Sequence, residues 1–324
     1  MAILWCGGEA QDFPSGIGII TTASGGRAGY SRAGASIACT SGYRQSLAFP
    51  AGAVTSCWLT FRISISAYNT DCMLIGLGHL GNGDGLFIGS GDSTSYKTTL
   101  WSYTSGTGTV LAAESGTTLT GAGTKIDMQV VDYGETGTVN IYTNGSLVIS
   151  YTGDIRFGAP AVHLDCVILG MQGNNFVYLS EIIVSDTDTR NMSLVTLYPS
   201  AAGDVSDWTG AYTNIDELGI DDADLIYDNT DGHQAMFALS NLPAGSFSVL
   251  AVKESVRACR ASDSTPTSLD IGIKSGATVD VDDNHALTTT WTSYERLMLV
   301  NPVTGNAFTP TEIDGLQMVL ESEA

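Results

Sequence analysis

The stretch from residue 138 to residue 154 constrains the fold more than any other part of the chain. Thr138, Val139, Asn140, Ile141, Tyr142 and Thr143 lead into Asn144-Gly145, and Ser146, Leu147, Val148, Ile149, Ser150 and Tyr151 lead away. Asn-Gly is the pair that most readily takes the two positive φ angles of a type I′ turn, so the flanking runs read as a tight hairpin. A two-residue loop sets Ile141 opposite Val148 and Tyr142 opposite Leu147. One face then carries Val139, Ile141 and Val148; the other carries Tyr142, Leu147, Ile149 and Tyr151. A lone two-stranded ribbon is marginal in water, so a hairpin apolar on both faces is expected inside a larger sheet.

The rest of the chain repeats this grammar. It has 38 glycines, and only 15% of its 324 residues are charged against 43% hydrophobic. Long stretches of helical period are absent, which is the profile of an all-β protein with short strands and tight turns. Residues 56–65 form the strongest strand, with Cys57, Leu59, Phe61, Ile63 and Ile65 alternating against Trp58, Thr60, Arg62 and Ser64. Further strands are predicted at 17–22, 72–78, 85–89, 98–103, 125–133, 162–170 and 176–186. The spacing suggests a sandwich, closed by pairing Leu4–Trp5 with residues 178–184 because sheet edges need partners. Residues 25–36 read as a loop.

A changeover follows at 186–208. No Lys or Arg occurs between Asn191 and Val252, while acids crowd residues 204–231. A second set of strands is predicted at 235–239, 247–258, 268–274, 290–300 and 316–320, with a turn or helix start at 310–314. The expected organisation is a jelly-roll sandwich over 1–190 and a smaller β-sandwich with an acidic entry over 191–324.

Charge narrows the partners. The formal net charge is −21, from 34 acidic and 13 basic residues. Nucleic acid is excluded as a partner, because binding it requires Lys and Arg to displace counterions from phosphates. No run of about 18 apolar residues is present, so no membrane span is expected. The N-terminus lacks the basic region and apolar core of a secretory signal, so an extracellular role is expected by lysis or within a particle. The six cysteines show neither zinc spacing nor a dense disulfide framework, and read as reduced thiols. Their spacing leaves a disulfide open.

Reactive constellations are sparse. The four histidines, His79, His163, His233 and His285, form no H-x-x-x-H pair and read as surface or core residues. Glycoside hydrolysis needs two carboxylates at a fixed separation, and Glu181 stands alone among aliphatics. The acids Asp216, Glu217, Asp221, Asp222, Asp224, Asp228 and Asp231 offer oxygen ligands for Ca²⁺ without calcium-loop spacing, and read as a solvated face. Asn82-Gly83-Asp84-Gly85 reads as a turn first and a metal loop second. No catalytic residue and no cofactor is assigned. Candidate carbohydrate-stacking aromatics are Tyr96, Trp101 and Tyr103, with Tyr30 and Tyr43, all in Gly/Ser-rich surroundings. Ordinary sheet aromatics are the competing reading.

Two resemblances add to these readings. The hairpin, with its Tyr-x-Asn-Gly turn, looks like the late hairpin of concanavalin A-like (laminin-G-like) jelly rolls. The opening from Ile3 through Trp5, Cys6, Gly7, Gly8 and Glu9 to Phe13 resembles the start of virion structural proteins of tailed bacteriophages. Ala10 and Gln11 stand here where that opening is usually acidic. The run from Leu179 through Asp186, Asp188, Arg190 and Met192, with Asp207-Trp208 and Asn214-Ile215, is similar to the domain junction of those proteins. The resemblance implies a non-enzymatic virion component, with other virion proteins and host surface glycans as partners. It also implies a homo-oligomer, a trimer foremost, although no coiled-coil heptads are present. A tail fibre or tail-tip adsorption role is favoured, with capsid decoration or a head fibre as the alternative. A free carbohydrate-binding module is a third reading.

Overall fold

The computed structural model describes the chain apart from residues 1, 9–11, 13–18, 22–36, 40–43, 68–71, 91–96, 120–122, 157–162, 171–175, 217–220 and 263–265. The fold is nearly all β, and it divides into a unit over residues 1–10 and 16–194 and a unit over 11–15 and 195–324. The first is a jelly-roll sandwich and the second a smaller β-sandwich.

The first unit grows from β5 (Cys57–Ala67). Its alternation puts Cys57, Leu59, Phe61 and Ile63 in the core, as the sequence predicts. On one side β5 pairs with β10 (Thr124–Val131), setting Phe61 opposite Ile126 and Leu59 opposite Met128. On the other it pairs with β14 (Phe176–Ser185), which also takes β1 (Ile3–Gly7) along its far edge. Trp5 faces Val184 and Cys6 faces Ile183, so the first and last strands close as expected. β2 (Ile19–Thr21) and β3 (Ile37–Cys39) extend this sheet beyond β14.

The hairpin forms its other end. β11 (Gly137–Thr143) pairs with β10, and β12 (Ser146–Gly153) is the edge strand. Asn144 and Gly145 have φ of 48° and 82°, the two positive angles of the expected turn. The register corrects one expectation. A bulge between Ile141 and Tyr142 sets Ile141 opposite Ile149 instead of Val148. One extra residue reverses every side chain beyond it. Ile149 and Tyr151 therefore join the face of Val139 and Ile141, while Leu147 is left 55% exposed.

The second sheet runs in the order β4 (Arg44–Ala48), β13 (Cys166–Gly170), β6 (Cys72–Gly78), β7 (Gly85–Ser90), β8 (Lys97–Thr104) and β9 (Thr107–Thr118). β6 and β7 approach closely at Gly78, where a Cβ would stand 2.1 Å from the Asp84 carbonyl oxygen. In this unit the sequence reading missed β3, β4 and β9, which lack strong apolar alternation.

In the second unit a five-stranded sheet runs in the order β15 (Pro199–Ser206), β16 (Gln234–Leu239), β21 (Gln317–Glu323), β18 (Ser268–Ser275) and β19 (Thr278–Ala286). A ribbon of β17 (Val252–Ala258) and β20 (Thr292–Met298) packs on it, with Val256 against Phe237, Ile271 and Leu320. The predicted helix start is α1 (Pro310–Asp314). Thr309 accepts from the Glu312 amide and Glu312 accepts back from the Thr309 amide, a reciprocal cap that closes both orphan donors.

Candidate functional site

Of the five aromatics singled out for sugar stacking, Tyr30, Tyr43 and Tyr96 lie outside the described residues. Trp101 and Tyr103 lie on β8, on the face that carries Met73, Phe87, Cys166 and Ile168. Trp101 is only 9% exposed, and Tyr103 meets the Phe87 ring edge-on at 6.2 Å. Trp101 stands opposite Phe87 on the β7–β8 ladder and packs beside it in that cluster, the arrangement of an ordinary sheet aromatic.

The sequence reading missed a second aromatic group, on the outer face of the eight-stranded sheet. Trp58 and Tyr142 stack with centroids 5.9 Å apart. The Arg190 guanidinium lies 5.1 Å from one ring and 4.7 Å from the other, a cation–π arrangement. Asp188 receives Arg190 through both carboxylate oxygens, which holds its carboxyl below the ordinary range. Beside them the Thr60 hydroxyl bonds Asp127 at 2.5 Å and also meets the Thr189 hydroxyl. Lys125 donates to the carbonyls of Arg190 and Met192 at 2.7 and 3.2 Å. Residues 188–192 thus form a strap across the sheet. Only the charges of Lys and Arg were visible in the sequence, not the strap they anchor.

The carboxylates here are structural. Arg62 donates to Glu181 at 3.1 Å, and burial pushes the Asp127 carboxyl up. Each carboxylate of the group has a hydrogen-bonded partner from the sheet or the strap.

The described acids of the second unit are engaged by neighbouring donors. Asp222 binds Arg257 at 2.8 and 2.9 Å, and Asp224 accepts from Asn214 at 2.5 Å. Asp221 accepts from the Ala223 amide, and Asp228 from the Thr230 amide and His233. These acids cap turns and pair with neighbours.

Two histidines far apart in sequence meet at one end of the jelly roll. His79 follows β6 and heads the turn over 79–84. Within it the Asp84 amide donates to Asn82 Oδ1 at 2.9 Å, and the Asp84 carboxylate accepts from Asn82 and from the Ser105 amide. The turn reading of these residues therefore holds. His79 is 5% exposed, and neither of its ring nitrogens has a hydrogen-bond partner. Its neighbours are the rings of Tyr133 at 5.7 Å and His163 at 5.4 Å. An unsatisfied buried polar group carries a penalty of about 1–3 kcal/mol. His163 and Asp165 sit just before β13, with His163 Nε2 3.6 Å from Asp165 Oδ2. Asp165 Oδ1 accepts the Leu80 amide at 2.7 Å. Spacing along the chain gave no sign of this group, because pairing of β6 with β13 alone brings its members together.

The fold and these sites define a two-unit, all-β protein whose first unit is a jelly-roll sandwich. No helix among the described residues is long and apolar enough to cross a membrane. No family description and no curated protein matches the chain. Among solved structures, the globular domain of T. cruzi calreticulin is similar with a TM-score of 0.40 and 11% identity, over 58% of this chain and 89% of that one. The carbohydrate-binding module CBM66 from Bacillus subtilis gives 0.35 and 10%, over 52% and 95%. The CBM40 module of a Ruminococcus gnavus IT-sialidase, bound to α2,3-sialyllactose, gives 0.35 and 14%, over 47% and 90%. At these scores the likenesses carry no assignment of function.

Proposed function

We propose that the chain is a non-enzymatic structural protein of a tailed-phage particle, working at the tail fibre or tail tip, where its jelly roll contacts host surface glycans. One observation carries the reading. The two stretches that resemble phage virion proteins form one structural feature. The opening strand β1 pairs with β14, and the junction run continues from β14 into the strap over 188–192. Their residues close a sheet and fasten a strap rather than present reactive groups, which suits a particle component better than an enzyme. Glycan contact is assigned to surface loops, since Trp101 is enclosed.

Antibody-gold labelling of purified particles, paired with glycan-array binding of the purified chain, tests this. Gold at the tail end with saturable glycan binding supports adsorption. Gold over the head without glycan binding replaces adsorption with capsid decoration. Absence of the chain from particles by mass spectrometry overturns the virion role.

A further inference from the structure

We infer that His79, His163 and Asp165 form a binding site for one divalent transition-metal ion, with Zn²⁺ the best match. Their ligand atoms all lie within 4.8 Å of one another. Nitrogen and oxygen ligands sit about 2.0–2.2 Å from zinc, so two tetrahedral ligand atoms are roughly 3.4 Å apart. His163 Nε2 and Asp165 Oδ2, at 3.6 Å, already hold nearly that separation. They are too far apart for a good hydrogen bond and well placed to share an ion. His79 completes the set from within 4.8 Å of both.

The protein chemistry around the three groups fits. His79 is enclosed, yet both of its nitrogens lack a partner, and a metal on one of them halves that deficit. Asp165 is oriented from behind: the Leu80 amide holds Oδ1 and leaves Oδ2 directed at His163. Such outer-shell bonds fix a ligand's geometry. His163 and Asp165 are 43% and 29% exposed, which supplies an entry path and room for solvent in the remaining coordination positions. Two imidazoles and one carboxylate select zinc and its neighbours over Ca²⁺ or Mg²⁺, which prefer all-oxygen sets. The ion would tie the turn after β6 to the segment entering β13, bracing that end of the sandwich independently of any role in a particle.

The test uses the full chain, stripped with a chelator and titrated with zinc chloride by calorimetry and thermal unfolding. One ion per chain and a higher unfolding temperature are expected. His163→Ala, at a half-exposed position, is expected to fold normally and to lose about tenfold or more in affinity. His285→Ala, in the second unit, is expected to bind like the wild type. Cobalt in place of zinc is expected to show ligand-field bands without a thiolate charge-transfer band. A wild-type chain that binds no zinc, unchanged affinity in His163→Ala, or a thiolate band would each overturn the assignment.

Discussion

The guanidinium of Arg190 lies 5.1 Å from the ring centroid of Trp58, so a residue of the connecting segment covers the outer face of the central strand β5. Exposed cation–π contacts contribute about 0.5–1 kcal/mol. Arg190→Ala is expected to lower stability by roughly that amount, and Arg190→Lys by less, since the ammonium keeps the charge over the rings and loses only the paired grip on Asp188. Urea unfolding measures both. The same variants are expected to speed proteolytic cutting within 186–194, as the strap loosens before the sandwich does.

Trp101 separates a packing role from a binding role. Because it sits in the cluster of Phe87 and Ile168, Trp101→Ala is expected to reduce unfolding free energy by about 3–5 kcal/mol. Any glycan binding by the fraction that stays folded is expected to be unchanged. Loss of binding with normal stability would return this ring to the list of sugar contacts.

Two glycines test backbone geometry in opposite ways. Gly145 has open space around it but a φ of 82°, so Gly145→Ala is expected to lose about 1 kcal/mol from backbone strain alone. Gly78 has an ordinary φ but no room, with the Asp84 carbonyl oxygen 2.1 Å from a would-be Cβ. Gly78→Ala is expected to lose more than Gly145→Ala, because β6 and β7 must separate to admit the methyl group. Denaturant midpoints rank the two.

Glu254, on β17, gives a pH dependence. Burial pushes its carboxyl well above the ordinary range, only partly offset by Arg296 across the ribbon, while Asp282 opposes ionisation. A raised folded-state pKa means the fold disfavours the charged form. This residue therefore lowers stability as pH rises through its folded pKa, and the loss is relieved as pH falls toward the ordinary carboxylate range. Glu254→Gln is expected to be more stable than the wild type at pH 8, with the difference closing by about pH 4.5. Thermal unfolding across that range measures it.

Local chemistry decided much of this protein before any tertiary contact. Asn144-Gly145 dictated its turn because few other pairs tolerate two positive φ angles. The alternation of Cys57, Leu59, Phe61 and Ile63 dictated a strand with one face in the core, and Thr309 with Glu312 dictated a capped helix start. The pairing of β1 with β14 followed from the need to close a sheet edge.

Tertiary structure decided what period and propensity do not encode. The bulge that sets Ile141 against Ile149 depends on which face the core occupies, and one residue of slip reverses that face. Trp101 reads the same in sequence whether its side of the sheet is bare or covered; the fold leaves it 9% exposed. The strap required Arg190 to reach back to Trp58, and the histidine cluster required β13 to lie beside β6. Those contacts join residues far apart in the chain. Non-local pairing, which no short window of sequence contains, made the sites, while local backbone preference made the strands that carry them.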